Sequence, residues 1–524
     1  MIDSRYAAKF FLIALAAFLL FIQIYHTLHY PIWFDDAFFS IVAKSLVNGE
    51  GYSAVFFDQS FPFHFGISSG PVVIMPAALL MFFFGNKYWV PDVANIVLIW
   101  SLLTTIFILS DDFVGKEKKW PFGFLALSLL LVFSTNSYGN SNTDRLVLWH
   151  LLMGEIPAAL CLVIAIFLLF SPKFSLRKSL IGGIFLGLAV MSKAIAGLSV
   201  AVIFSFYFLK IFRQKDLEKI RKIQIIFAVG FCAITPFCLF EIAKLISLGF
   251  DGYLDLQIQM AKFYKENALI LPSELKDSVN ANVDIWWRIN FVKRYMGVVW
   301  SIFAPMTFYI SYKAFTNKNR SDGHCVEVGL ILILCFIVHS FWWLEFSNGC
   351  DRYLVVGLIS YFVGLALLIK SIDYETLWPI QTALIVIFVG LLFASRFNEI
   401  NYLFHKGFAG NDDRLHKQML ITETIANFQK QGVIMISCGN SSELEYLLPH
   451  SRNFKKCEEL LTQSSGRQVM LVNYYLNGVT KPPRVIRINS DQFYGATKMV
   501  PEKIAKRCQK EYLSDEDFSL NWCK

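Results

Sequence analysis

Residues 33–52 read WFDDAFFSIVAKSLVNGEGY, and residues 65–71 read FGISSGP. The first stretch follows an apolar run, Phe10–Ile24, that is itself preceded by Arg5 and Lys9. Two adjacent carboxylates, Asp35 and Asp36, therefore stand just past a segment apolar enough to enter a bilayer. A carboxylate in hydrocarbon is costly, so the pair belongs at the membrane surface or in a wet cavity. The residues AFFSIVAKSLV carry apolar side chains at helical spacing and run into Gly49 and Gly51. That pattern predicts a short interfacial helix stopped by glycine. Spacing alone leaves two roles for the acids: they stop a membrane helix and solvate a loop, or they do chemistry at the surface.

Composition sets the class around this stretch. Of 524 residues, 55% are hydrophobic, 16% aromatic and only 17% charged, with mean hydropathy +0.49. Soluble domains carry about 25% charged residues, so the chain is a polytopic membrane protein, mainly α. The net charge of +8 does not indicate nucleic acid, because much of the excess lies in short loops between apolar runs. Of ten cysteines, six are scattered through the apolar part and four lie in the tail, none at C-x-x-C spacing. No small-residue cleavage site follows Phe10–Ile24, so this run is expected to stay as the first span rather than leave as a signal peptide.

Ten further spans are expected, about 11 in all: Val93–Leu109, Pro121–Phe133, Ile156–Phe170, Leu180–Met191, Gly197–Leu209, Ile223–Ile246, Val298–Tyr312, Val328–Phe341, Tyr353–Ile369 and Pro379–Ala394. The stretch GPVVIMPAALLMFFFG is short for a span and holds Pro71 and Pro76, so it reads as interfacial or re-entrant. Loops on one side carry Lys116, Lys118 and Lys119, then Lys173, Arg177 and Lys178, then a six-cation cluster from Lys210 to Lys222, then Lys313, Lys318 and Arg320. The positive-inside rule puts that side and the N-terminus in the cytoplasm. Asp35 and Asp36 then face outward. So do the loop holding Asp144, Arg145, His150 and Glu155, the turn at Lys193, and the turn holding Glu345, Asp351 and Arg352. Glu155 and Lys193 fall inside or at the ends of apolar runs, where a charge needs a partner or water. Each taken alone reads as a snorkelling charge or helix cap. Taken together they put acids and bases at one membrane level, a set able to bind phosphate and activate a hydroxyl.

The ordered set FDDAFFSIVAKSLVNGEGY, GISSGPVVIMPAALLMFFFG, MGEIPAALCLVIAIFLL, GLAVMSKAIAG and DRYLVVGL resembles the GT-C class of membrane glycosyltransferases. The resemblance is to the protein O-mannosyltransferase and lipid A aminoarabinose transferase superfamily, as a bacterial relative, and covers about the first 370 residues. It implies transfer of a sugar from a polyprenyl-phosphate carrier to an envelope acceptor (lipid, glycan or protein) on the outer side of the membrane. The family's acidic pair matches Asp35 and Asp36, its second external acid Glu155, its lysine Lys193 and its late arginine Arg352. Asp-Asp stands where Asp-Glu is commoner, and Gly70–Pro71 where many members have two prolines, which blurs the substrate more than the reaction class.

The chemistry asks for these residue types. A hydroxyl is a poor nucleophile, so a carboxylate, Asp35, takes its proton as the anomeric carbon is attacked. Lys193 and Arg352 hold the leaving lipid phosphate, with arginine offering the planar fork. Attack opposite the phosphate inverts the anomeric centre without a covalent sugar-enzyme intermediate. Glu155 and Asp144 are left for acceptor or metal contacts. A divalent cation there would be magnesium, manganese or calcium, and the sequence leaves its use open.

From about residue 396 charge rises and short β-type runs appear: GVIMISCG, QVMLVNYYL and RVIRINS, with helices near Ile421–Gln431 and Pro501–Tyr512. This predicts two parts, a membrane domain over 1–395 and a small α/β domain over 396–524 on the periplasmic side. Cys438, Cys457, Cys508 and Cys523 are an even set for that compartment and allow three complete pairings or none. The loop from Gly249 to Val298, with Tyr253, Tyr264, Trp286, Trp287 and Arg288, is expected to anchor at the membrane boundary or to cover the site. The expectation is thus an inner-membrane glycosyltransferase whose partners are the lipid-linked donor, the acceptor and membrane lipids. Two rivals are a polymerase or ligase using diphosphate-linked oligosaccharide, and a transporter. A transporter would show internal repeats, which are not visible here.

Overall fold

The computed structural model describes residues 4–29, 31–32, 34–56, 59–67, 70–115, 122–123, 152, 154–267, 308, 311–312, 323–345, 351–371, 408–431, 434–437, 446–448, 454–456, 469–474, 510–515 and 518–523. The expected spans Pro121–Phe133, Val298–Tyr312 and Pro379–Ala394 lie wholly or largely outside these residues, as do Asp144, Arg145, His150, Trp286, Trp287, Arg288, the run RVIRINS, Cys438, Cys457 and Cys508. The chain divides into two compact units: Met1–Thr27 with Phe65–Pro76 and Asp92–Phe404, and Leu28–His64 with Ala77–Pro91 and His405–Lys524.

The first unit is a bundle of apolar helices. Its elements are α1 (Ser4–His29), most of α4 (Val90–Leu109), the short α5 (Asp111–Val114), α6 (Glu155–Leu169), α7 (Leu176–Ser192), α8 (Gly197–Arg213), α9 (Lys219–Asn267), α10 (Gly323–Glu345) and α11 (Val355–Ser371). Among the described residues five helical stretches are long and apolar enough to cross a membrane: Leu12–His29, Val90–Val114, Ala194–Arg213, Lys219–Lys262 and Gly323–Glu345. At 1.5 Å per residue, the 23 residues of α10 reach about 35 Å, enough for a hydrocarbon core of about 30 Å. The 15 residues of α6 reach only about 22 Å. That shorter helix is packed on nearly every side, as is α11, so these two form the centre. By contrast α9 leaves Phe227 and Phe231 74% exposed, with Ile234, Leu239 and Ile246 also open, an apolar surface suited to lipid tails.

Close approach between helices is set by small residues. On α7, a Cβ at Gly187 would stand 2.1 Å from the Ala233 carbonyl of α9, and one at Gly183 would stand 2.6 Å from the Val229 carbonyl. Helix α9 itself breaks at Gly249, whose φ of 69° lies in the left-handed region. Glu241 before the break accepts from Tyr253 at 2.9 Å and from Gln257 at 3.0 Å beyond it. In a straight helix residues 241 and 257 would be about 24 Å apart, so the chain doubles back. The straight run of helix therefore ends at Gly249, three residues past the Ile246 expected as the end of a span. The residues after Gly249, expected as loop, are helical to Asn267, and Tyr253 is tied to Glu241.

The second unit contains α2 (Phe34–Val47), the hairpin β1 (Ser53–Phe56) and β2 (Gln59–Pro62), α12 (Phe408–Lys430), and strands β3 (Ile434–Ser437), β4 (Phe454–Lys456), β5 (Val469–Tyr474), β6 (Lys510–Asp515) and β7 (Phe518–Cys523). The sheet order is β4-β3-β5-β7-β6, with β3 parallel to β4 and β5, and β7 antiparallel to β5 and β6. Two expected strands, GVIMISCG and QVMLVNYYL, are β3 and β5. The helix expected over Pro501–Tyr512 is corrected at its end, where Lys510–Tyr512 are strand, paired with β7. Helix α2 stops as expected. Gly49, at φ 78°, lets Glu50 N–H reach the Ser45 carbonyl (2.9 Å) and Gly49 N–H the Leu46 carbonyl (3.2 Å), the two bonds of a Schellman cap. Its surroundings differ from the interfacial expectation, because every residue from Asp36 to Ser45 is buried. The helix has no polar face to give to water, and packing against protein closes all its sides. The GPVV stretch forms α3 (Pro71–Phe84), with Pro71 at the first helical position. It buries Val73, Ile74 and Ala77 and exposes Met75, Leu79, Phe82 and Phe83.

Candidate active site

Helix α7 ends because Lys193 turns extended, at φ −155° and ψ 118°, while its N–H still donates to the Ala189 carbonyl at 3.1 Å. A single 3-10 turn, Ala194–Ala196, follows before α8 begins. The break aims the Lys193 ammonium at the first residue of α6: Nζ lies 2.8 Å from Glu155 Oε1. The side chains are 14% and 3% exposed. A charge this deep is tolerated when its partner is at hydrogen-bond distance. The carboxylate also sits at the α6 N-terminus, where the helix dipole favours a negative group.

Two more of the sequence-singled stretches arrive here. The Lys193 ammonium lies 5.3 Å from the centre of the Tyr353 ring, within cation–π range. Tyr353 belongs to the 3-10 turn Asp351–Leu354 that opens α11, so its neighbour Arg352 enters on the same turn. From the FGISSGP stretch, Gly70 N–H donates to the Met191 carbonyl at 2.8 Å, two residues before Lys193. The approach needs a glycine, since a Cβ there would stand 2.4 Å from Met191 Cγ. Thus Glu155 and Tyr353 lie against the Lys193 ammonium, and Gly70 bonds to the backbone two residues before it. An ammonium carries three donors, and a tetrahedral anion is a natural acceptor for them beside the Glu155 ion pair.

Each expected site residue has a definite status. Glu155 and Lys193 are paired. The Arg352 backbone is described, and its side chain is outside the described residues. Asp35 and Asp36 open α2 in the second unit; Asp36 is 1% exposed, and the Asp35 side chain is outside the described residues. Asp144 lies outside them altogether. Among the described residues no three His, Cys, Asp or Glu side chains gather to hold a metal ion, and the Glu155 oxygen faces an ammonium, a poor setting for a cation. Sequence reasoning missed the parts played by Tyr353 and Gly70, although both stand in the quoted stretches. It also missed His339, fully buried on α10, whose Nδ1 lies 3.3 Å from Ser199 Oγ and 3.1 Å from the Cys335 carbonyl. In the second unit it missed His64, packed edge-on to Phe38, Phe56 and Phe61 at centroid distances of 5.6–5.8 Å. Burial pushes that imidazole down to about 4.

No family model matches the chain, and no curated protein does. Among solved structures, ArnT from Cupriavidus metallidurans bound to undecaprenyl phosphate superposes with TM-score 0.58 at 10% identity, covering 97% of both chains. The apo form of the same protein gives TM-score 0.56 at 10% identity, covering 98% of both chains. The Archaeoglobus fulgidus oligosaccharyltransferase in the apo form reaches TM-score 0.45 at 10% identity, over 90% of this chain and 70% of that one. The mainly helical architecture expected from the ordered stretches agrees with this likeness: over 97–98% of its length the chain is similar in fold to ArnT.

Proposed function

We propose that the protein is an integral inner-membrane glycosyltransferase. In this reading it transfers a sugar from a polyprenyl-phosphate carrier to an envelope lipid, glycan or protein on the periplasmic side. The observation that carries the reading is the Lys193 ammonium, held by Glu155 at a helix break beside the Arg352 turn, in a fold similar to one seen bound to undecaprenyl phosphate. Lys193 and Arg352 take the donor phosphate, and Glu155 keeps Lys193 aimed. Asp35, with Asp36 beside it, removes the proton from the acceptor hydroxyl as the anomeric carbon is attacked. The C1–phosphate bond breaks as the new glycosidic bond forms, the configuration inverts, and polyprenyl phosphate leaves carrying the bond's electrons. Asp144 remains for acceptor contacts. The N-terminus is cytoplasmic, about 11 spans cross the membrane, and residues 396–524 form a periplasmic α/β domain.

The test uses purified protein in detergent with undecaprenyl-phosphate-linked hexoses and aminopentoses, no gradient being present. Release of undecaprenyl phosphate with a glycosylated acceptor is expected, and Asp35→Asn should abolish it at unchanged protein level. Movement of lipid across a bilayer without bond cleavage would replace this reading with transport. Full activity in Asp35→Asn would remove the assigned base.

A further inference from the structure

Both ends of α2, the helix that carries the acid pair, are bonded to residues about 400 positions further along the chain. Just before the helix, the Gln418 amide pairs with the backbone of Ile32. Ile32 N–H donates to Gln418 Oε1 at 3.0 Å, and Gln418 Nε2 donates to the Ile32 carbonyl at 3.1 Å. A side-chain amide here makes the two-bond pairing that an adjoining strand would make. Toward the other end, Lys44 donates to the Tyr446 carbonyl at 3.1 Å and also to the Leu448 carbonyl. Tyr446 in turn donates its hydroxyl to the Lys87 carbonyl at 2.9 Å. Lys44 is 1% exposed and Gln418 2%.

Burying a lysine is expensive unless its donors are used, and an apolar residue of the same size would pack without that cost. What a polar clamp adds is direction. Apolar contact resists separation and tolerates sliding, whereas hydrogen bonds to named carbonyls set a helix along its axis. Asp35 lies three residues after Ile32, and Asp36 lies eight residues before Lys44, about 12 Å along the helix. We infer that Gln418 and Lys44 are positioning residues for sugar transfer, fixing the axial setting of α2 and with it the depth of the carboxylates. This rests on the assignment of Asp35 as base, and it gives the C-terminal region a task other than acceptor recognition.

The test is run on the full-length protein in detergent, with undecaprenyl phosphate released from the same donor panel as the readout and Asp35→Asn as reference. A misplacement of about 1 Å costs on the order of 100-fold, so Gln418→Leu should lower kcat about 10- to 100-fold with donor and acceptor KM within about twofold. Gln418→Glu supplies a signature that a general loss of structure would not. Its protonated carboxyl accepts from Ile32 N–H and donates to the Ile32 carbonyl, remaking both bonds, while its ionised form repels that carbonyl. Its kcat relative to the unsubstituted protein should therefore rise from about pH 8 to about pH 5.5, where a buried glutamyl carboxyl titrates. The ratio for Gln418→Leu should stay flat. Hydrogen exchange at Ile32 and along residues 34–47 should be at least about tenfold faster in Gln418→Leu, a readout that needs no turnover.

Unchanged exchange, or unchanged kcat with a raised acceptor KM, overturns the inference, as does a flat pH ratio for Gln418→Glu. If Asp35→Asn stays active while Gln418→Leu exchanges faster, the base assignment fails and the clamp stands. If Asp35→Asn is inactive and Gln418→Leu is normal in turnover and exchange, the clamp fails alone.

Discussion

Replacing Lys193 by Met should destabilise the protein more than replacing Lys193 and Glu155 together. The two charges are 2.8 Å apart, which at an effective dielectric of about 20 is an attraction of about 6 kcal/mol before desolvation is subtracted. Removing only Lys193 leaves a carboxylate that is 3% exposed without its cation, a change expected to cost about 3–5 kcal/mol. Removing only Glu155, as Glu155→Gln, should cost about 1–3 kcal/mol. The remaining ammonium is 14% exposed and retains the Tyr353 ring at 5.3 Å. The double variant Glu155→Gln/Lys193→Met buries no charge and should lie within about 2 kcal/mol of the unsubstituted protein. The single losses together exceed the double loss, so the cycle predicts a coupling of about 2–8 kcal/mol. Unfolding in mixed micelles at graded SDS, followed by tryptophan fluorescence, measures all four proteins at one pH. Additive losses would show that the two side chains are not paired in the folded protein. Turnover separates stability from chemistry: if Lys193 holds the donor phosphate as proposed, the double variant should fold and yet transfer no sugar. A double variant with full turnover would refute the role given to Lys193 while leaving the pair intact.

Three other outcomes follow from the packing. Gly70→Ala puts a methyl 2.4 Å from Met191 Cγ and 3.0 Å from its carbonyl, displacing the turn that leads into Lys193. Turnover per folded molecule should fall at least about tenfold, while stability drops only about 1–3 kcal/mol. Gly187→Ala meets the Ala233 carbonyl at 2.1 Å, so α7 and α9 must separate; a loss of about 3 kcal/mol is expected in the same SDS titration. His64 concerns pH. Its folded value of about 4 lies below the ordinary 6.5, so between the two the unfolded chain binds the extra proton. Stability is lost as pH falls from about 6.5 toward 4, at up to about 1.4 kcal/mol per unit, and His64→Phe should flatten that part of the acid limb.

What was legible in the sequence was what local chemistry determines. The glycine stop of α2 is written in Asn48–Gly51, since a Schellman cap involves only neighbours. The apolar run expected as the span Val328–Phe341 follows from composition and lies within the helix Gly323–Glu345, and the need of Glu155 and Lys193 for partners follows from their place in apolar runs. The hairpin Ser53–Pro62 was not legible, because its strands are four residues each and lie among aromatic and glycine-rich residues without clear alternation. Lys510–Tyr512 continue a helical pattern and are strand because β7 pairs with them, a tertiary effect that overrides propensity. The Gln418 clamp shows the limit most sharply. On α12 the residues run Gln418, Met419, Leu420, and any hydrophobicity rule buries the last two and exposes the first. The structure does the reverse: Met419 and Leu420 are 41% and 42% exposed, and Gln418 is 2%. A glutamine on a polar helix carries no local mark that its partner is the Ile32 backbone, 386 residues earlier. The polar side chains that set an acid-bearing helix are therefore found from coordinates, whereas the acids themselves announce their need for water or a counter-charge from the sequence.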